Sequence, residues 1–334
     1  MRCLVSGGSG FIAAHVIEAL LKNKHSVVFT VRSDEKGQKI LSNHPNSPKD
    51  QLSYVIVKDI AQPCAFDEAV KSDPPFEAVL HTASPFHFNV TDPKKDLLDP
   101  AINGTNGILA AIKKSAPSVK RVAITSSFAS IINPSNHAKV YSEKVWNPIT
   151  MEEAVQDPAS AYRASKKFAE EAAWKFVETE KPNFTLTTIC PPLVLGPVVH
   201  YFSSLESLNT SNELVRDLIQ GKFAKDGLPA TRVPLFVDVR DLADAHVQAV
   251  EREQAQGKRF FVTAGFFRNG DVADIVKKNF PEYEKKLPGS WEYVPKDFGF
   301  DVDNSRGKEV LGLKYRRLED SIVDLVKSLQ AAGA

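Results

Sequence analysis

Tyr162 and Lys166 stand four residues apart in a stretch free of glycine and proline. On a helix that spacing stacks the two side chains one turn apart, with Cβ atoms about 5–6 Å distant. A phenol with a pKa near 10 is a poor acid near neutrality, about three units or roughly 4 kcal/mol out of range. One ammonium about 4 Å away supplies on the order of 4 kcal/mol at an effective dielectric near 20. A lysine so placed makes the phenol a usable proton donor. The spacing alone is common, and an amphipathic helix with a half-buried tyrosine produces it too. Tyr54 and Lys58 share it, but within a strand, where four residues span about 13 Å. A hydroxyl comes from Thr125-Ser126-Ser127, which closes the apolar run 121–125. Ser127 at the carboxyl end of such a strand can hydrogen-bond a carbonyl together with a tyrosine hydroxyl and polarise it; a turn or helix cap is the other use of a serine there.

Near the amino terminus, Gly7-Gly8-Ser9-Gly10-Phe11-Ile12-Ala13 follows the apolar run Cys3-Leu4-Val5 and opens a stretch with Ile12, Val16, Ile17, Leu20 and Leu21 at helical spacing. Strand, glycine turn and helix place backbone N–H groups and the positive end of a helix dipole against a pyrophosphate. Gly7 permits the tight turn, Gly10 lets the backbone approach phosphates, and Ala13 is small enough for close helix–strand packing. Surface turns also collect glycine, so the flanking strand and helix carry the assignment. The buried β segment 26–31 ends at Arg32, some 25 residues beyond Gly7. An NAD-selecting chain places an acidic residue near there for the ribose 2′-hydroxyl, whereas an arginine suits a 2′-phosphate. Lys36 can join it from the next helix. Arg32 and Lys36 could equally be solvated surface cations, and Asp34 or Glu35 could pair with Arg32. NADP(H) is the cofactor expected, and its oxidised nicotinamide would add a second positive charge beside Tyr162.

These residues must be positioned by alternating elements. Strand patterns at 52–57, 78–81, 121–125 and 185–189 alternate with helical patterns at 97–114 and 159–177. That order implies right-handed βαβ units and an α/β fold: a Rossmann-type doubly wound parallel sheet covered on both faces. After Cys190 the regularity fails at Pro191-Pro192, Gly196-Pro197 and the polar run 203–211. Helices are expected again at 212–220, 238–252 and 318–329, with a strand at 260–263. Residues 1–190, with about 226–263, are read as the NADP-binding domain. Residues 191–225 and 264–334 are read as a smaller, partly interleaved substrate-binding lobe over the strand carboxyl ends.

The 334 residues allow an ample core. Lysine and arginine number 42 against 41 aspartate and glutamate, without a dense basic run, so nucleic acid and anionic membranes are not expected partners. Cys3, Cys64 and Cys190 are far apart and have no metal-ligand spacing. The chain enters its first strand without a charged and apolar leader, and no apolar run approaches membrane length, so a cytoplasmic protein is expected. Composition leaves monomer and homodimer open.

The ordered markers Gly7–Ala13, Lys58-Asp59-Ile60, His81-Thr82-Ala83-Ser84-Pro85, Thr125-Ser126-Ser127, Tyr162-Arg163-Ala164-Ser165-Lys166, Leu208-Asn209-Thr210-Ser211 and Val237-Asp238-Val239-Arg240-Asp241 span most of the chain. With them the chain resembles the extended short-chain dehydrogenase/reductase family. Within it the chain is similar to the fungal NADPH-dependent carbonyl (methylglyoxal / 3-methylbutanal) reductases, with plant dihydroflavonol reductases more distant. The resemblance implies that Ser127 orients a carbonyl, Tyr162 protonates the alkoxide, and Lys166 holds the nicotinamide ribose while lowering the tyrosine pKa. It implies that Gly7, Ser9, Gly10, Phe11 and Ile12 line the pyrophosphate and Arg32 and Lys36 the 2′-phosphate. Asp59 and Ile60 would flank adenine, Thr82 and Ala83 would pass beside the phosphates and ribose, Val194 would lie near the nicotinamide, and Ser211 would bind a diphosphate oxygen. Ala13 stands where many relatives have glycine, and a fourth catalytic asparagine is not assignable, with Asn103 and Asn106 as candidates.

Ser84, Phe86, Phe88, Phe128, Leu193 and Phe236, with Tyr201 and Phe202, come from segments expected near the nicotinamide. An apolar lining of that kind suits aldehydes and ketones with alkyl or aryl groups, although core packing explains any one of them as well. The expected activity is NADPH-dependent reduction of a small-molecule carbonyl. The alternatives are a nucleotide-sugar epimerase or dehydratase, which Arg32 argues against, and a non-catalytic NADP-binding sensor, which the intact Ser127, Tyr162 and Lys166 argue against.

Overall fold

The computed structural model describes residues 1–84, 91–199, 205–291 and 297–333. Along the chain these form β1 (Arg2–Ser6), α1 (Phe11–Lys22), β2 (Ser26–Val31), α2 (Asp34–Ser42), β3 (Leu52–Ile56), β4 (Ala78–His81), α3 (Asp99–Ser115), β5 (Arg121–Thr125), β6 (Val140–Tyr141), α4 (Met151–Ala154), α5 (Pro158–Glu180) and β7 (Thr185–Cys190). The remainder forms β8 (Leu193–Leu195), α6 (Glu213–Ile219), β9 (Leu235–Asp238), α7 (Val239–Glu251), β10 (Arg259–Phe261), β11 (Gly265–Phe266), α8 (Asn269–Asn279), β12 (Asp301–Val302), α9 (Ser305–Leu311) and α10 (Leu318–Ala331).

The main sheet has seven strands in the order β10-β7-β5-β4-β1-β2-β3, every neighbouring pair parallel. Period-two alternation explains why its strands are apolar on both sides. Cys3, Val5, Val27, Phe29, Ala78, Leu80 and Ala123 enter one core, which α1 and α7 cover. Leu4, Val28, Val79, Val122 and Ile124 enter the other, beneath α3 and α5. The strand order reverses between β1 and β4, and such a switch opens a crevice at the strand carboxyl ends.

A second sheet, β11-β9-β8, contributes to three cores, Leu235 meeting the cluster of Phe128 and Phe261. Val194 and Val237 face the α1–α7 side. Leu195 and Phe236 enter a third core with residues of α6, α8 and α10. Asp238 joins the parts electrostatically. Its fully buried carboxylate caps α7 through the Arg240 amide, pairs with the Arg240 guanidinium at 2.7 Å and accepts the Ser321 hydroxyl of α10 at 2.7 Å. Arg240 also reaches Asp324 at 2.6 Å.

Element boundaries differ from the pattern reading where caps intervene. The helix expected from 159 begins at Pro158, because Asp157 accepts the Ala159 and Ser160 amides at 2.9 and 3.0 Å and proline is tolerated at the first helical position. The helix expected from 97 begins at Asp99, after a π-type turn over Lys94–Leu98, and Pro100 lies in its first turn.

Replacing Ser321 with alanine removes one donor from a buried charge. The expected loss is about 1–3 kcal/mol, read as a lower urea midpoint, and an unchanged midpoint contradicts the role given to this bond.

Candidate active site

The glycine turn joins β1 to α1 at the switch point. Gly7 has a positive φ of 75°, and a Cβ there would stand 3.0 Å from Ala83 of the β4 loop. At Gly8 a Cβ would meet Phe29 at 2.5 Å. Thr30 of β2 fixes the turn, its hydroxyl and carbonyl accepting the Gly7 and Gly8 amides at 3.0 and 2.8 Å. The sequence reading passed over Thr30; a threonine inside a buried apolar strand was its only signal. Gly10 is exposed and caps α1, so the positive helix end opens at the sheet edge, with Ser9 half-buried beside it. Phe11 is turned down into the core against His15, so only its backbone is available to a ligand. Ile12 packs partly against the same core. Ser6 ties the next loop in place. It accepts the Ala83 amide at 3.1 Å, lies 2.7 Å from His81 Nδ1, and gives its carbonyl to the Thr82 hydroxyl at 2.6 Å. Burial drives His81 down to about 4, so the ring that shares this hydrogen bond with Ser6 is neutral.

Arg32 and Lys36 are exposed beside this turn, and among the described residues neither forms an ion pair. Their acidic neighbours are engaged elsewhere: Asp34 accepts the Tyr54 hydroxyl at 2.5 Å, and Glu35 pairs with Lys39 at 3.0 Å. Asp59 follows β3 on the same edge. The Gln62 side chain and Ala61 amide hold its carboxyl below the ordinary range, with a contribution from Arg32. Ile60 lies half-buried against Gly104 of α3, where a Cβ would approach it to 3.2 Å.

Ser127 and Tyr162 come together across the end of β5. Ser127 caps the turn Phe128–Ser130, accepting the Ala129 amide at 3.1 Å, and its hydroxyl hydrogen-bonds the half-buried Tyr162 phenol. Burial pushes the phenol above its ordinary range, and Ser127 draws it back. Lys166 stands off from the phenol rather than pressing against it. Lys166 Nζ lies 5.8 Å from the Tyr162 ring centre and donates to Ser84 Oγ at 2.6 Å, so its positive charge is directed at the β4 loop. Burial brings Lys166 down to about 8.

The expected apolar lining is only partly a lining. Phe128 is 2% exposed and stacks on Phe261 with centres 5.1 Å apart. Phe236 is 4% exposed and meets Phe267 edge-on. Both are core residues, because each sits on the inward position of its element. Ser84 is the lysine's partner. Leu193 is half-buried, and Phe86, Phe88, Tyr201 and Phe202 lie outside the described residues. Val194 is buried in β8, and its carbonyl accepts the Ser211 hydroxyl at 2.6 Å, while Asn209 donates to Ser211 at 2.8 Å. Ser211 therefore spends its proton on bracing β8, and a ligand oxygen could take it only by displacing that bond. Neither asparagine candidate is a clear fourth member: Asn103 is exposed on α3 and Asn106 half-buried, while the intervening Thr105 turns toward Lys166 in a small chamber.

The sequence profile of the NAD dependent epimerase/dehydratase family matches residues 3–263. The chain belongs to that family. Ketoreductase azaE of Aspergillus niger is 47% identical over 333 residues, spanning 98% of this chain and 97% of its own. The NADPH-dependent methylglyoxal reductase GRE2 of Saccharomyces cerevisiae is 38% identical over 344 residues and 98% of each chain. The crystal structure of the yeast methylglyoxal/isovaleraldehyde reductase Gre2 complexed with NADPH superposes with a TM-score of 0.92 at 38% identity, covering 100% of this chain and 99% of that one. Extended short-chain dehydrogenase/reductase architecture thus covers the whole chain. The residues present fit a dinucleotide on their own terms. A Cβ at Gly7 would press on Ala83 across the crevice and one at Gly8 would collide with Phe29 beneath the turn. A helix amino end faces the crevice, and Arg32 at the end of β2 and Lys36 in α2 are cations that, among the described residues, form no ion pair.

If burial sets the Lys166 ammonium as described, its reaction with a small acylating reagent has a midpoint near pH 8, against about 10.4 for solvated lysines. Residue-resolved labelling across pH measures this, and a midpoint above 10 contradicts it.

Proposed function

We propose that this chain is a cytoplasmic NADPH-dependent carbonyl reductase. It converts small aldehydes and ketones of the methylglyoxal, isovaleraldehyde or aryl-ketone type into alcohols. The observation that carries the reading is the Ser127 hydroxyl bonded to the Tyr162 phenol, with Lys166 one helical turn away, at the edge where the glycine turn opens. The names of the relatives support the same reaction class.

Bound NADPH supplies the hydride. Ser127 and Tyr162 hold the carbonyl oxygen between two hydroxyls, so negative charge grows where donors already point. Tyr162 then transfers its phenolic proton to that oxygen. Its raised pKa keeps it protonated at neutral pH, and an alkoxide is a far stronger base than the phenolate left behind. The Ser127 hydroxyl and the Lys166 charge stabilise that phenolate; with Nζ 5.8 Å from the ring centre and an effective dielectric near 20, the cation contributes about 3 kcal/mol. Gly7 to Ile12 hold the pyrophosphate, and Thr82 and Ala83 shape the crevice beside it. Arg32 and Lys36 hold the 2′-phosphate. An epimerase built on the same edge would retain its cofactor through the cycle, and the exposed cations at 32 and 36 suit a dissociable NADPH instead.

The test is oxidation of NADPH, followed near 340 nm, with methylglyoxal, isovaleraldehyde and aryl ketones; no substrate-dependent loss across the panel defeats the proposal. Tyr162→Phe is expected to lower turnover by about 10²–10⁴ while NADPH still binds, measured by fluorescence titration. Near-normal turnover would remove Tyr162 from the acid role. Arg32→Asp is expected to weaken NADPH by about ten- to a hundredfold relative to NADH, since it removes charge-assisted bonds. An unchanged cofactor ratio would make Arg32 a bystander.

A further inference from the structure

Residues 126–157 separate β5 from α5, and so separate Ser127 from Tyr162 and Lys166. A connection of that length does not by itself fix how one end stands against the other. One buried group does touch both. Glu170 lies one turn beyond Lys166 and two beyond Tyr162 on the same side of α5. Its carboxylate lies 2.6 Å from Ser126 Oγ, 2.7 Å from Ser130 Oγ, 2.7 Å from Thr188 Oγ1, and 2.8 and 3.1 Å from Arg259.

Ser126 and Ser130 bracket Ser127. Ser130 Oγ also lies 2.7 Å from the Ser127 carbonyl and 2.8 Å from Arg259. The backbone on either side is bonded too, from the Ser126 amide to Ile189 and from the Phe128 amide to Pro191, both at 2.7 Å. Arg259 extends the clamp by donating to the carbonyls of Glu143 and Val145 at 3.1 and 2.5 Å, beneath the Trp146 ring at 3.7 Å. The chamber beside Lys166 runs to Glu170 and Ser126. Burying such a pair gives no clear stability advantage over apolar side chains of similar size. What it supplies is a fixed relation among α5, the β5 loop, β7 and β10.

We infer that Glu170 with Arg259 is a positioning pair that sets the Ser127 hydroxyl against the Tyr162 phenol. Neither side chain touches substrate. The pair acts through Ser127, so the inference rests on the catalytic assignment of Ser127 and Tyr162 made above.

A double-mutant cycle tests it with Glu170→Gln, Ser127→Ala and the two combined, in the full chain with NADPH and a reducible ketone. Single-turnover hydride transfer is the readout, so that slow variants remain measurable. Glu170→Gln is expected to slow transfer about ten- to a hundredfold, as an ångström-scale misplacement does, with the NADPH dissociation constant unchanged within about threefold. In the Ser127→Ala background the same substitution is expected to cost less than about threefold. Equal cost in both backgrounds, or full activity of folded Glu170→Gln, overturns the inference. If Ser127→Ala alone leaves the rate intact, the catalytic assignment fails and the positioning role with it. Should Glu170→Gln not fold, the paired Glu170→Leu with Arg259→Met, which removes both charges together, enters the same cycle with the same expectations.

Discussion

Parallel strands joined by right-handed crossovers must all end on one edge, and that constraint assembles this site. Gly7, Arg32, Asp59, Thr82 and Ser127 each follow a different strand, yet the crossovers deliver them to a single rim. The order reversal between β1 and β4 leaves the crevice there, and the hydrogen bonds among Ser6, Thr30, Thr82 and Ala83 hold its walls at backbone level. Little of that scaffolding depends on the side chains that would meet a substrate.

The fold was legible because its signals are local and repeated. Buried strands are short apolar runs, helices carry a 3.6-residue stripe, and the glycine turn has flanks of the right kind. Boundaries slipped by a residue or two, through a cap at Asp157-Pro158 and through a π-type turn before Asp99. The proximity of Tyr162, Lys166 and Ser127 was legible for a similar reason, since helix context and strand order bring them to one edge. The lining was not. Whether Phe128 or Phe236 faces a pocket or a core turns on which side of a short strand or turn it occupies, and an apolar residue reads the same in either place. Glu170 went unnoticed because one glutamate on an amphipathic helix looks like solvated surface; its arginine lies far along the chain, and only the sheet brings them together.

Charge at the site differs from the simple picture of an ammonium pressed against a phenol. Burial raises Tyr162 and lowers Lys166, so each leans toward its neutral form, and hydroxyls rather than a direct ion contact connect them to their surroundings. Such a pair keeps its proton on the phenol until a stronger base forms beside it. Ser84 holds the ammonium aside at the loop after β4, on the path where Thr82 and Ala83 pass the crevice.

The small sheet β11-β9-β8 has one face in the core of the larger sheet and the other in a core of its own, with Val194 and Leu195 as neighbours on opposite sides. Ser127 and Tyr162 are backed by α5, β7 and β10, whereas Leu193 packs on the separate core. A substitution beneath Leu193 therefore bears on the edge of the crevice through a core in which Tyr162 takes no part.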